Sequence, residues 1–176
     1  MKASEKGFTL IEIIISMTIM ALASSAAGTA IFQILRNTER NSDHMTVVRQ
    51  VQNAGYWISR DAQMAQSTTT DNLTLPDFLV ASWTEWDASG NPTYHTARYF
   101  FEGLTNGIGM LKRNHRSTAG ADEYTLIAQY IYYNPSDVAN TSNASYQSSV
   151  LTVKLTALVE QTMESKEYEI KGRPNF

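Results

Sequence analysis

The sequence from Gly7 to Leu35 reads GFTLIEIIISMTIMALASSAAGTAIFQIL. The 28 residues from Phe8 to Leu35 contain one charged side chain, that of Glu12. As an α-helix this segment would be about 42 Å long, more than the roughly 30 Å of a bilayer's hydrocarbon layer. The seven residues before it are polar and include two lysines. This charge bias predicts a cytoplasmic N-terminus and an exported remainder.

Three interpretations of the apolar segment compete. It could be a secretory signal peptide, since Ala21-Leu22-Ala23 before Ser24 has the small residues of a cleavage site. It could also be a simple transmembrane anchor. Neither interpretation explains Glu12, because a carboxylate in a lipid-embedded helix is costly unless it is paired or protonated.

The third interpretation explains it. The string Gly7-Phe8-Thr9-Leu10-Ile11-Glu12 resembles the class III leader junction of type IV pilins and type II secretion pseudopilins. The resemblance implies that residues 1–7 are a leader and that a prepilin peptidase cuts between Gly7 and Phe8. It also implies N-methylation of Phe8, and it makes Glu12 the fifth residue of the mature chain.

Cleavage at this junction would create a cationic amine on Phe8. In a stack of subunits this amine can meet the Glu12 carboxylate of a neighbour, which offsets the desolvation of both charges. A subunit that enters out of register leaves both charges unpaired. We therefore expect the pair to set the register of assembly, with residues 8–35 forming a transmembrane and filament-core helix.

Composition narrows the remaining function classes. The 176 residues carry a net charge of −3, which argues against non-specific nucleic-acid binding. There is no cysteine and there are three histidines, so disulfides, thiolate metal sites and histidine-rich metal sites are not expected. No nucleophile elbow, HExxH motif or phosphate-binding glycine loop is present. We expect no enzyme activity and no cofactor.

Residues 36–176 are predicted to form one α+β head. Apolar and small residues at helical spacing (Val48, Val51, Gly55, Ile58, Ala62 and Ala65) predict one buried stripe on a helix that ends near Ser67. Asn41-Ser42-Asp43 is a predicted interruption, with Asp43 as a cap. Alternation with a period of two predicts strands, at 78–85, 93–101, 110–113, 124–133, 150–160 and 166–170. The polar stretch 134–149 is predicted to be an exposed loop.

A long N-terminal helix whose second half packs on an antiparallel sheet is the fold that the pilin resemblance also implies. Within that family the layout is most similar to J-type minor pseudopilins and W-type minor pilins. Three features carry this finer resemblance: Ile58-Ser59-Arg60-Asp61, Ala97-Arg98-Tyr99-Phe100-Phe101 followed by Met110-Leu111-Lys112-Arg113, and a C-terminus that contains Arg173.

Two further patterns in the head each have an ordinary explanation beside a functional one. Asp87, Ser89 and Asn91 have the spacing of a calcium loop, but proline follows where glycine is needed, which favours a polar turn. The basic cluster Lys112, Arg113, His115 and Arg116 could contact DNA. A solvated, salt-bridged strand end is favoured instead.

The sequence therefore predicts a non-catalytic minor subunit that helps to prime or cap a type IV pilus or a type II secretion pseudopilus. The expected partners are the prepilin peptidase, other pilins, the inner-membrane assembly platform, the lipid bilayer and exported cargo, with no specific nucleic acid. The protein is expected in the cytoplasmic membrane with its head exported, and then in a filament. The alternatives are a major pilin and a tip adhesin or DNA receptor.

Overall fold

The structure, a computed structural model, describes residues 8–71 and 73–172. It contains one long helix, α1 (Leu10–Met64), and eight strands. The strands are β1 (Ser67–Thr69), β2 (Asp77–Trp86), β3 (Pro92–Thr105), β4 (Ile108–Ser117), β5 (Glu123–Tyr132), β6 (Asn143–Gln147), β7 (Val150–Val159) and β8 (Thr162–Lys171). The predicted leader, with Gly7, and the C-terminal Arg173 lie outside the described residues.

The strands form one antiparallel sheet in the order β1-β2-β3-β4-β5-β7-β6, and β8 pairs with the other side of β7. The turn between β2 and β3 contains Gly90, which has a φ of 81°. The predicted α+β fold, a long apolar helix followed by an antiparallel sheet, is confirmed.

The chain divides into two compact units between Ser42 and Asp43. In the second unit, the part of α1 from Asp43 to Met64 buries the predicted stripe in the core. Val47 rather than Val48 begins this stripe. Burial of each large aliphatic side chain contributes about 1.5–3 kcal/mol, and core neighbours of α1 come from β2, β3, β4, β5, β7 and β8.

Two predictions about the helix were wrong. The helix continues through Asn41–Asp43 without an interruption, because no glycine or proline is present there to break it. It ends at Met64 rather than near Ser67, because Ser67–Thr69 pairs with β2 as a short strand.

The prediction of an exposed loop at 134–149 was also wrong. This stretch contains a short 3-10 helix, Val138–Asn140, and β6, which pairs with β7. Thr141 and Ser142 are fully buried, and the Ser142 hydroxyl donates to the carbonyl of Thr156 and accepts from its amide. The polar composition was misleading because these hydroxyls satisfy backbone groups that would otherwise be unpaired.

Candidate functional site

The N-terminus of α1 is closed by a reciprocal pair of side chains, Thr9 and Glu12. The Thr9 amide donates to Glu12 Oε2 at 2.9 Å and the Thr9 hydroxyl donates to the same oxygen at 2.8 Å. The Glu12 amide in turn lies 3.4 Å from Thr9 Oγ1. This is a capping box, which satisfies amides that the first helical turn leaves without intrahelical acceptors.

The helix that follows this cap presents its apolar side chains outward. Every large apolar residue of the segment is exposed: Phe8, Leu10, Ile11, Ile13, Ile14, Ile15, Met17, Ile19, Met20, Leu22, Ile31, Phe32, Ile34 and Leu35. By length and composition α1 contains a stretch that could cross a membrane. So large an exposed apolar surface requires lipid or neighbouring protein to cover it.

The head contains a buried charged network centred on Asp61, whose side chain is fully buried. Asp61 Oδ2 accepts a hydrogen bond of 2.7 Å from the Tyr99 hydroxyl and one of 2.5 Å from Arg113 Nε. Asp61 Oδ1 accepts from Arg113 Nη2 at 3.1 Å and from Arg60 Nη2 at 3.2 Å. Trp57 packs beneath both guanidinium groups, at 4.1 Å from that of Arg60 and 5.3 Å from that of Arg113.

This network joins α1 to β3 and β4, and it shifts the pKa values of Tyr99 and Arg113. Burial and the Asp61 charge raise the pKa of the Tyr99 hydroxyl well above its ordinary value. Burial alone would lower the pKa of Arg113, but its hydrogen bonds and attraction to Asp61 raise the pKa overall. Both side chains therefore keep their protons, and Asp61 accepts from two guanidinium groups and one neutral hydroxyl.

The predicted basic cluster is divided between the two faces of the sheet. Lys112 and Arg116 point away from α1, and they form ion pairs with Glu102 and Asp122 respectively. Arg113 and His115 point toward α1, and Arg113 is buried against Asp61. The salt-bridged explanation is confirmed for Lys112 and Arg116, and the four side chains do not form one basic surface.

The predicted polar turn is also confirmed. Asp87 Oδ1 accepts hydrogen bonds from the amides of Ser89 and Asn91, each at 2.8 Å, and Asp87 Oδ2 accepts from Asn91 Nδ2 at 2.9 Å. These bonds lower the pKa of Asp87, with the contribution of Asn91 the largest. The carboxylate thus organises its own turn.

Residues 2–28 match the family model of the prokaryotic N-terminal methylation motif. The chain carries a prepilin-type N-terminus. The methylation motif supports the type IV pilin and pseudopilin family, and the α+β layout is pilin-like. The methylation motif implies processing by a prepilin peptidase and assembly with other pilins, and it points to a structural subunit rather than an enzyme. No curated protein and no solved structure matches the chain.

Within the methylation motif, Phe8 and Glu12 both lie in the exposed N-terminal region of the described chain, while Gly7 lies outside it. The motif and the single apolar helix fit a protein anchored in the inner membrane. Phe8 and the capping box are close in sequence, so the region that the motif defines is also the region where the helix begins.

Sequence reasoning missed two parts of these sites. Thr9 was not recognised, although Thr9-Leu10-Ile11-Glu12 has the spacing of a capping box. Asp61 was noted only as part of a resemblance, although it lies on the apolar stripe between Ile58 and Ala62. An acidic residue on a buried helical face requires a partner, and this signal could have predicted an ion pair.

Proposed function

We propose that this protein is a non-catalytic minor pilin or pseudopilin that inserts into a type IV pilus or a type II secretion pseudopilus and helps to prime or cap it. The observation that carries the proposal is the methylation motif at residues 2–28, which includes the start of a long exposed apolar helix. A membrane covers that helix before assembly, and neighbouring subunits cover it afterwards.

Processing is proposed to occur between Gly7 and Phe8, followed by N-methylation of Phe8. The methylated amine keeps its positive charge. Residues 8–35 then form the membrane and filament-core segment, and residues 36–176 form the exported head. The assembly platform of the inner membrane is the proposed partner at insertion, and exported cargo or other minor subunits are the proposed partners of the head.

Glu12 is proposed to serve two states in turn. In the isolated chain its Oε2 atom accepts both hydrogen bonds from Thr9 and closes the helix start. In the filament the same carboxylate meets the Phe8 amine of a neighbour. Because a carboxylate has about four acceptor positions, the cap and the intersubunit pair are compatible.

The minor role rests on the head. Two of the three head motifs that resemble J-type minor pseudopilins and W-type minor pilins contain Asp61, Tyr99 and Arg113, which meet in one buried network. A set of short motifs that converges in space supports a shared architecture more strongly than the same motifs separately. The abundance of the chain in sheared filaments tests the minor role, since a trace amount is expected and a dominant amount would indicate a major pilin.

The first test of the proposal is the intact mass and N-terminal sequence of the chain from its native membrane. A chain that begins with methylated Phe8 is expected. A chain that begins at Ser24 would overturn the proposal, because it would mean that the apolar segment is a cleaved signal peptide.

The second test separates the two roles of Glu12. Glu12→Gln retains an acceptor for Thr9 but removes the charge, and we expect normal processing with at least about tenfold less incorporation into filaments. Thr9→Val removes the hydroxyl of the cap and keeps the charge, so incorporation should persist. Glu39→Gln, on an exposed part of α1, is the matched control. Normal incorporation of Glu12→Gln would show that the charge has no role in assembly.

A further inference from the structure

Three rings from adjacent strands form a parallel group on the α1 side of the sheet: Trp83 of β2, His95 of β3 and His115 of β4. The two imidazoles are parallel within 2° with their centroids 5.4 Å apart, and His95 Nδ1 lies 3.2 Å from His115 Nε2. Because the nitrogens are much closer than the centroids, the imidazoles meet edge to edge. Trp83 lies parallel to both, with centroid distances of 5.2 and 5.6 Å.

The contact between the imidazoles holds one proton. A hydrogen bond between two ring nitrogens needs one N–H donor and one bare acceptor. A neutral pair satisfies this requirement, and so does a pair in which one ring is cationic. If both rings are protonated, two N–H groups face each other, and the hydrogen bond is replaced by repulsion between like charges.

The outer nitrogens of the pair each face a carboxylate. His95 Nε2 lies 3.5 Å from Glu85 Oε2, and His115 Nδ1 lies 4.0 Å from Glu123 Oε2. Glu85 is held in place by the Trp83 indole, whose Nε1 donates to Glu85 Oε1 at 3.1 Å. The first added proton therefore gains an ion pair and preserves the hydrogen bond between the rings.

Burial and nearby positive charge oppose the binding of a second proton to the pair of imidazoles. The charged groups that line this region come from every element packed around it: Arg60 and Asp61 of α1, Glu85 of β2, Arg113 of β4 and Glu123 of β5. Burial, the Arg113 charge and His95, in that order, lower the pKa of His115, and these effects outweigh the attraction of Asp61 and Glu123.

We propose that the His95–His115 pair is an acid-sensitive latch that ties a side chain of β3 to one of β4 and keeps Trp83 packed against both rings, and that opens when both imidazoles are protonated. Opening separates the rings and loosens the walls of the adjoining cavity of about 290 Å³, which Trp57 and Met64 of α1 also line. The latch acts in the head and does not depend on the proposed assembly role.

The direction of the pH effect follows from the depressed pKa of His115. An unfolded histidine titrates near pH 6.5, so between that pH and the lower folded value the unfolded chain binds more protons. The contribution of His115 to the free energy of unfolding is therefore complete above about pH 6.5, and it falls as the pH decreases toward the folded pKa of His115. For one proton, the unfolding equilibrium constant rises at most about tenfold per pH unit.

The test uses the full chain in detergent micelles. NMR titration should show that His115 takes up its proton below about pH 6.5, where an unperturbed histidine titrates. Uptake should coincide with faster hydrogen exchange at the Trp83 indole. Titration of His115 at or above about pH 6.5, with no change at Trp83, would overturn the proposal.

A variant series provides an independent readout. His115→Gln retains a donor at the Nε2 position but cannot become charged, so the acid-induced rise of the unfolding constant should be lost. His44→Gln is the matched control and should keep the wild-type profile. An unchanged acid profile in folded His115→Gln would contradict the latch, and if that variant does not fold, the wild-type titration decides.

Discussion

Replacing Asp61 with asparagine should be among the most destabilising isosteric changes in the head. The substitution keeps the size of the side chain and removes its charge. Arg113, whose side chain is only 4% exposed, then loses its charged partner, because an asparagine amide is neutral and keeps only one acceptor oxygen. An uncompensated charge at a buried position costs about 3–5 kcal/mol. This is a large share of the 5–15 kcal/mol by which a typical domain is stable.

The assay is urea unfolding of the full chain in micelles, followed by the tryptophan fluorescence of the head. Asp122→Asn is the matched control, because it removes an ion pair with the solvent-exposed Arg116 and should have little effect. Arg60 contributes less than Arg113 to the cost at Asp61, since its side chain is 40% exposed and water can solvate it.

A triple variant, Asp61→Leu with Arg113→Met and Tyr99→Phe, removes the polar groups of all three buried residues of the network together. It should recover much of the lost stability, because an apolar replacement leaves no charge or hydroxyl unpaired. The reasoning would be refuted if Asp61→Asn cost no more than Asp122→Asn. If the triple variant were as unstable as Asp61→Asn alone, the cost would lie in packing rather than in the uncompensated charge.

Two further predictions concern the turn glycines and the buried tyrosine. Gly107→Ala should lower the melting temperature more than Gly90→Ala. Both glycines have a φ of 81°, but a Cβ at Gly107 would lie 2.8 Å from the Tyr132 ring and 2.9 Å from the Tyr133 carbonyl, while a Cβ at Gly90 would meet open space. Equal losses of stability in the two variants would mean that the collision at Gly107 is relieved. The raised pKa of Tyr99 means that its contribution to stability is complete below about pH 10 and declines at higher pH. The free energy of unfolding measured between about pH 9 and 11.5 should therefore fall less in Tyr99→Phe than in the wild type, and an equal fall in both proteins would contradict the assignment.

Local patterns predicted much of the fold correctly. The apolar run to Leu35 and the stripe from Val48 to Ala65 predicted a long helix, and period-two alternation found six of the eight described strands. These signals succeed because helix and strand spacing depend on residues a few positions apart. The prediction failed at β6 and at the short β1. In both, polar residues pair with a neighbouring strand, β7 and β2 respectively, and that neighbour supplies the hydrophobic face.

The sequence by itself determined the N-terminal region: the methylation motif, the position of Glu12 and the apolar helix are all contiguous, so no folding is needed to recognise them. Tertiary structure alone decided the chemistry of the head. Arg113 reaches Asp61 from 52 positions away, and His95 meets His115 from 20 positions away. Such pairs depend on strand register and on where α1 packs on the sheet, because a shift of one residue in a strand would turn Arg113, His95 or His115 to the opposite face.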